Sequence, residues 1–165
     1  MLTWADFEAD APALAAEGAK LIDSFHFVLV GTIRRDGTPR ISAVETHIVD
    51  GNLMQPVIPG TLKARDLQRD PRILLNSPIT HPGDLNTEFK LRGRAVEVDD
   101  QALREATAER IETVSGWRPP TTWHFFTIDV EDAAYISWDG GWMETTRWTP
   151  AGGLRRTREP VAVVD

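Results

Sequence analysis

Pro59-Gly60-Thr61-Leu62-Lys63-Ala64-Arg65 joins a chain-turning glycine to a helical first turn that carries a hydroxyl and two cations. A helix start presents free N–H groups and the positive end of the peptide dipole, so the segment suits a phosphate. Gly60 would let the ligand approach the backbone, and Lys63 would supply a flexible charge. Thr61 as a plain N-cap, with Lys63 and Arg65 solvating a surface helix, accounts for the same residues without a ligand. Arg40 and Ser42 alternate on one face of the preceding strand pattern and could reach the same anion.

Glu45 and His47 fall on the opposite face of that strand, where a surface salt link is favoured over a catalytic dyad. The four histidines, at 26, 47, 81 and 124, lack the spacing that puts two on one metal, so no metal site is expected. GxSxG, Walker and GxGxxG patterns are missing, which removes the commonest hydrolase, NTPase and dinucleotide readings. Five of the six tryptophans lie between Trp117 and Trp148. They suit a barrel end, a dimer interface or the wall of a planar ligand site, with Arg147 close by to meet a phosphate or a ring edge.

These residues need elements to hold them. Trp4, Phe7, Leu14, Leu21 and Phe25 carry helical spacing, which predicts an N-terminal helix over about residues 3–24, made of a short turn after Thr3 and a main helix capped by Asp10. The period then changes to two. Asp36-Gly37 and Asp50-Gly51 mark turns between strands near residues 25–33, 40–49 and 53–58. A helix follows over 61–69, then strands at 72–77 and 87–98, separated by a polar loop through Pro78, Pro82 and Gly83. Asp99-Asp100 caps a helix ended by Gly116. Three strands near 123–128, 133–138 and 142–148 come next, and residues 149–165 read as a surface tail.

Strands in hairpin order with helices inserted predict a mainly β (α+β) domain spanning 1–165. Its expected form is a small barrel of about six to eight antiparallel strands with three helices, since closure removes exposed sheet edges. The chain has 165 residues, 18 Lys+Arg against 25 Asp+Glu and a net charge of -7, which disfavours nucleic acid and anionic membrane as partners. The absence of cysteine excludes disulfide and thiolate chemistry, and fits a cytoplasmic setting.

The succession from Gly31-Thr32-Ile33-Arg34-Arg35-Asp36-Gly37-Thr38-Pro39-Arg40-Ile41-Ser42 to Pro59-Gly60-Thr61-Leu62-Lys63-Ala64-Arg65-Asp66 resembles the pyridoxamine 5'-phosphate oxidase-like, FMN-binding split-barrel family. Within it the chain looks most like the actinobacterial flavin and deazaflavin oxidoreductases. The resemblance implies a split barrel assembled as a homodimer, with FMN or the deazaflavin F420 bound at the subunit interface. By position, Arg40, Ser42, Gly60, Thr61, Leu62 and Lys63 match the phosphate-holding segments. Trp138 resembles the aromatic residue lent by the partner subunit, and Arg147 the basic residue that follows it. Leu62 departs from the pattern, because many members carry a donor there. The pyridoxal-phosphate-binding residues of the true oxidase are not found, so that substrate is not expected.

The resemblance implies hydride transfer between the cofactor ring and a small unsaturated or quinone-like substrate, with no catalytic side chain required. A non-catalytic protein that binds, stores or senses a flavin or another planar ligand stands as the alternative on the same scaffold.

Overall fold

A computed structural model describes residues 1–79 and 87–161. In chain order the elements are α1 (Trp4–Asp10), α2 (Pro12–Phe25), β1 (Phe27–Ile33), β2 (Pro39–Glu45), β3 (His47–Val49), β4 (Asn52–Val57) and α3 (Leu62–Arg69). They continue with β5 (Arg72–Asn76), β6 (Thr87–Glu97), α4 (Gln101–Ser115), β7 (His124–Asp139), β8 (Trp142–Thr149) and β9 (Gly153–Pro160). Every ladder is antiparallel, in the order β2-β1-β5-β6-β7-β4-β3. The second half of β7 also carries β8, and β8 carries β9. β2 and β4 touch without a ladder between them, so the barrel that runs from β2 to β4 is split along that seam. This is the split barrel expected from the sequence, with nine strands and four helices among the described residues.

The added elements have local causes. Thr3 and Asp6 form a capping box that makes the turn after Thr3 a helix of its own. Asp10 does not cap α2. Ala11 occupies the N-cap without a side-chain bond, Pro12 removes a donor at N1, and the Asp10 carboxylate accepts from the buried Trp148 indole N–H at 2.6 Å. A buried indole N–H without an acceptor is costly, so it takes the carboxylate.

Residues 40–49 do not form one strand. Thr46 leaves the ladders and its N–H donates to the His26 carbonyl at 2.8 Å, turning the chain from its β1 partner to its β4 partner. The two strands expected near 123–128 and 133–138 are the single strand β7. A bulge lets it pass Glu131, and Gly93 lies opposite, where a Cβ would sit 2.1 Å from the Asp129 carbonyl oxygen. The residues expected to form a surface tail instead add β9 to the sheet, and 162–165 lie outside the described residues, as does most of the loop expected through Pro82 and Gly83.

The interior of the barrel is apolar and closes on aromatic contacts. Phe7 packs 5.0 Å from Trp148 and 5.3 Å from Trp4, which meets Phe89 at 6.2 Å. Each such pair adds about 1 kcal/mol beyond area burial. α4 covers a second cluster of Val49, Met54, Val98 and Phe125. Of the tryptophans, Trp148 is core, Trp117 packs against Trp123, and Trp142 lies under the Arg158 guanidinium at 4.7 Å. No helix among the described residues is long and apolar enough to cross a membrane.

Candidate functional site

β2, the β1–β2 hairpin and α3 border an open cleft of about 950 Å³, lined by Arg34, Arg35, Asp36, Arg40, Leu62, Arg65, Asp66 and Arg69. The hairpin forms because Asp36 and Gly37 meet the demands of its turn. The Asp36 carboxylate accepts from the Thr38 N–H at 3.0 Å and hydroxyl at 2.6 Å, and Gly37 sits at φ 83°. α3 starts where Gly60 turns at φ 74° and Thr61 caps. The Thr61 hydroxyl donates to the Ile58 carbonyl at 2.8 Å and accepts from the Ala64 N–H at 3.4 Å.

Asp66 is the hub of this arrangement. Its buried carboxylate accepts from Arg40 Nε at 2.6 Å, Thr32 Oγ1 at 3.2 Å and Arg69 Nη2 at 3.1 Å. Thr32 and Arg40 face each other across the β1–β2 ladder, so one carboxylate ties both strands to the helix. Burial opposes the charged form, but the bonds from Arg40, Arg69 and Thr32 outweigh it and hold the carboxyl below its usual range. Arg69 also donates to the Ile33 carbonyl, which fastens the end of α3 to β1.

Lys63, in the first turn of α3, is half-buried and has no ion pair or hydrogen bond among the described residues. Burial lowers the pKa of its ammonium. Leu62 beside it is 57% exposed, an apolar side chain left in solvent at the rim of a charged cleft.

Of the residues singled out in the sequence for the anion site, Arg40, Leu62 and Arg65 line the cleft. Gly60, Thr61 and Lys63 stand next to it at the start of α3, and Ser42 lies on the Arg40 face of β2, half-buried. Trp138 on β7 and Arg147 on β8 are not brought to the cleft within one chain. The Arg147 guanidinium is held by Asp132, with Nε at 2.8 Å. Arg155 and Arg156 stand on exposed β9, where Arg158 pairs with Glu144 at 3.2 Å.

Sequence reasoning missed Asp66 and Thr32 as the supports of Arg40. The available signal was one acid among the cations of α3, at three residues from Arg69 on the same helix face.

The Glu45–His47 pair is not the surface link expected from the sequence. His47 is wholly buried, with Nε2 3.3 Å from Glu45 Oε1 and its ring stacked on His26 at 5.2 Å. The corner at Thr46 turns β3 under α2 and α4, which buries a residue that a straight strand would expose. The Nδ1 atoms of His26 and His47 are buried without a partner among the described residues. Burial first, then the neighbouring His26 and Arg110, push the His47 imidazole down to about 4, so it is neutral at pH 7. No three metal-ligating side chains converge among the described residues.

A sequence profile described as Pyridoxamine 5'-phosphate oxidase matches residues 14–137. No curated protein matches the chain. Among solved structures, the fold is similar to that of PhzG from Burkholderia lata 383 in complex with tetrahydrophenazine-1-carboxylic acid. The TM-score is 0.62 at 12% identity, covering 93% of this chain and 96% of that one. It is similar to the conserved hypothetical protein Rv2991 from Mycobacterium tuberculosis, with a TM-score of 0.61, 22% identity, and coverage of 75% and 83%. A heme binding protein from Mycobacterium smegmatis is also similar, with a TM-score of 0.59, 15% identity, and coverage of 91% and 90%.

Proposed function

The chain belongs to the pyridoxamine 5'-phosphate oxidase family, and from that premise we propose that it is an oxidoreductase that holds FMN or the deazaflavin F420 and moves hydride between the cofactor ring and a small unsaturated or quinone-like substrate. The observation that carries this reading is the half-buried, uncompensated ammonium of Lys63 beside the Thr61-capped start of α3. A cation left partly desolvated without a counter-charge is costly unless an anion arrives to meet it.

The residues present fit a phosphate. Lys63 would neutralise it, the N–H groups of the first turn of α3 would donate to it, and Gly60 leaves open space at the approach, with nothing within 4 Å of a built Cβ. Arg40 is held in place by Asp66, and Ser42 follows it on the same face of β2. Leu62 would give contact but no donor. When bound, the cofactor supplies the hydride chemistry, and the chain's part is to position the phosphate and wall the ring.

Trp138 and Arg147 would then act from a second copy of the chain. The apolar side chains exposed on the outward face of β1, β2 and β5, namely Phe27, Leu29, Ile41 and Leu74, support such a homodimer. Ile41 and Leu74 flank Gly31 across its two ladders, so the patch is continuous.

Titration with FMN and with F420, followed by absorbance and fluorescence, tests the reading. Lys63→Ala should weaken the bound cofactor by about 1.5–3 kcal/mol, roughly tenfold or more. Unchanged titrations of that variant would remove the phosphate site from α3. The likeness in fold to the heme binding protein from Mycobacterium smegmatis favours a second reading, a binding protein for a planar ligand. A Soret band on adding hemin, with neither flavin nor deazaflavin bound, would put that reading in place of the first.

A further inference from the structure

The cleft above α3 is much larger than one phosphate and more basic than Arg40 requires. Its volume, about 950 Å³, reaches the upper end of the roughly 300–1,000 Å³ of small-molecule sites. Five arginines line it in a chain whose net charge is -7. Two of them, Arg40 and Arg69, are consumed by Asp66. The other lining acid, Asp36, turns its carboxylate back to Thr38.

Arg34, Arg35 and Arg65 are therefore left without an ion pair among the described residues. Arg34 and Arg35 come from the hairpin and Arg65 from α3, so the free guanidiniums stand on two different walls of the cleft. Like charges gathered in this way repel one another until an anion lies between them, and the planar guanidinium fork matches oxyanions in pairs.

We propose that this cleft is a second anion subsite, distinct from the Lys63 phosphate position, for a small ligand carrying two or more closely spaced oxyanions, held between Arg34, Arg35 and Arg65. Two oxyanions on one ligand would let both walls be engaged at once. Its small size keeps it clear of the acidic remainder of the surface, which would repel a long polyanion. Leu62 gives the rim an apolar contact beside the charges. The subsite stands on the cleft alone and does not require that a flavin binds.

Calorimetric titration of the full chain with orthophosphate, tripolyphosphate and citrate tests it. Tripolyphosphate or citrate should bind at least tenfold more tightly than orthophosphate, and whichever binds more tightly shows whether phosphate or carboxylate oxyanions are preferred. The double variant Arg34→Ala/Arg65→Ala should lose at least tenfold of that affinity and melt with the wild type, since both side chains are exposed. Polyanion affinity equal to that of orthophosphate, or unchanged in the double variant, overturns the proposal. FMN titration of the single variant Arg34→Ala, on the hairpin and away from the α3 turn, should match wild type. A chain that binds no flavin yet takes tripolyphosphate through Arg34 and Arg65 would refute the cofactor reading and leave the subsite standing.

Discussion

Asp66 and His47 are both buried titratable side chains, and the fold completes them in opposite ways. Asp66 is surrounded by donors from Arg40, Arg69 and Thr32, so it keeps its charge at depth. Among the described residues His47 has one hydrogen-bond partner, Glu45, and a second ring nitrogen with none, so it gives its charge up. Burial acts against the ion in both places. The number of hydrogen bonds offered to the charged form decides which side chain remains an ion. The first region is therefore a charged scaffold under the cleft, and the second is a neutral corner under α2 and α4.

Removing Asp66 should produce the larger effect. Asp66→Ala leaves the Arg40 and Arg69 guanidiniums without their shared counter-charge and cuts the tie between β1, β2 and α3. A loss of about 3 kcal/mol is expected in urea unfolding, the lower end for a broken buried pair because Arg69 is partly in solvent. A loss below about 1 kcal/mol would mean that the hub is only a surface ion pair. A depressed carboxyl contributes fully above its unfolded value of about 3.9 and loses that contribution only as the pH falls through the folded value. Asp66 should therefore stabilise the fold without change from neutral pH down to about pH 4.

The His47 effect has another pH window. Its folded value of about 4 lies below the unfolded 6.5, so the unfolded chain takes up the proton first. Stability is then full above about pH 6.5 and falls as the pH drops toward 4. The full shift amounts to about 3 kcal/mol. Other groups share the locality: Glu45, raised by burial, along with His26, Asp23 and Arg110. His47→Phe fills the space without a proton site, so its unfolding free energy should lose most of the slope between pH 6.5 and 4. An undiminished slope would assign acid sensitivity to another group.

Much of the scaffold around the cleft was legible in the sequence because its signals are local. Asp36-Gly37 sets the hairpin, Thr61 caps α3, and Asp100 caps α4 by accepting from Ala102 N–H at 2.8 Å. Of the candidate site, the turn from Gly60 to Lys63 was legible as a local pattern and Arg40 through the period-two face of its strand, but the contacts that hold Arg40 were not. The role of Asp66 was not legible because the partners that bury it lie on β1 and β2, 34 and 26 residues earlier in the chain. His47 was misplaced because the corner at Thr46 depends on the His26 carbonyl, which a left-handed residue at φ 56° presents at the end of α2. The bulge in β7 depends likewise on Gly93, far away in sequence. Long-range partners of this kind leave no periodicity for a local pattern to carry.

The smallest expected effect tests the exposed rim of the cleft against these two buried positions. Leu62 packs against little, being 57% exposed, so replacing it should leave the unfolding free energy within about 0.5 kcal/mol of wild type. At the first turn of α3, Leu62→Arg adds a fork of donors beside Lys63, where the family pattern often has one. On the cofactor reading proposed above, one charge-assisted hydrogen bond to the phosphate would be worth about 1.5 kcal/mol, so FMN should bind about tenfold more tightly. Asp66 and His47 cannot be altered without a cost to folding, because their surroundings are closed. Position 62 is open to solvent on the cleft side, so a change there alters affinity alone. A tenfold gain without a shift in stability would place the phosphate against Leu62, and an affinity equal to wild type would move it toward Arg40 and Ser42.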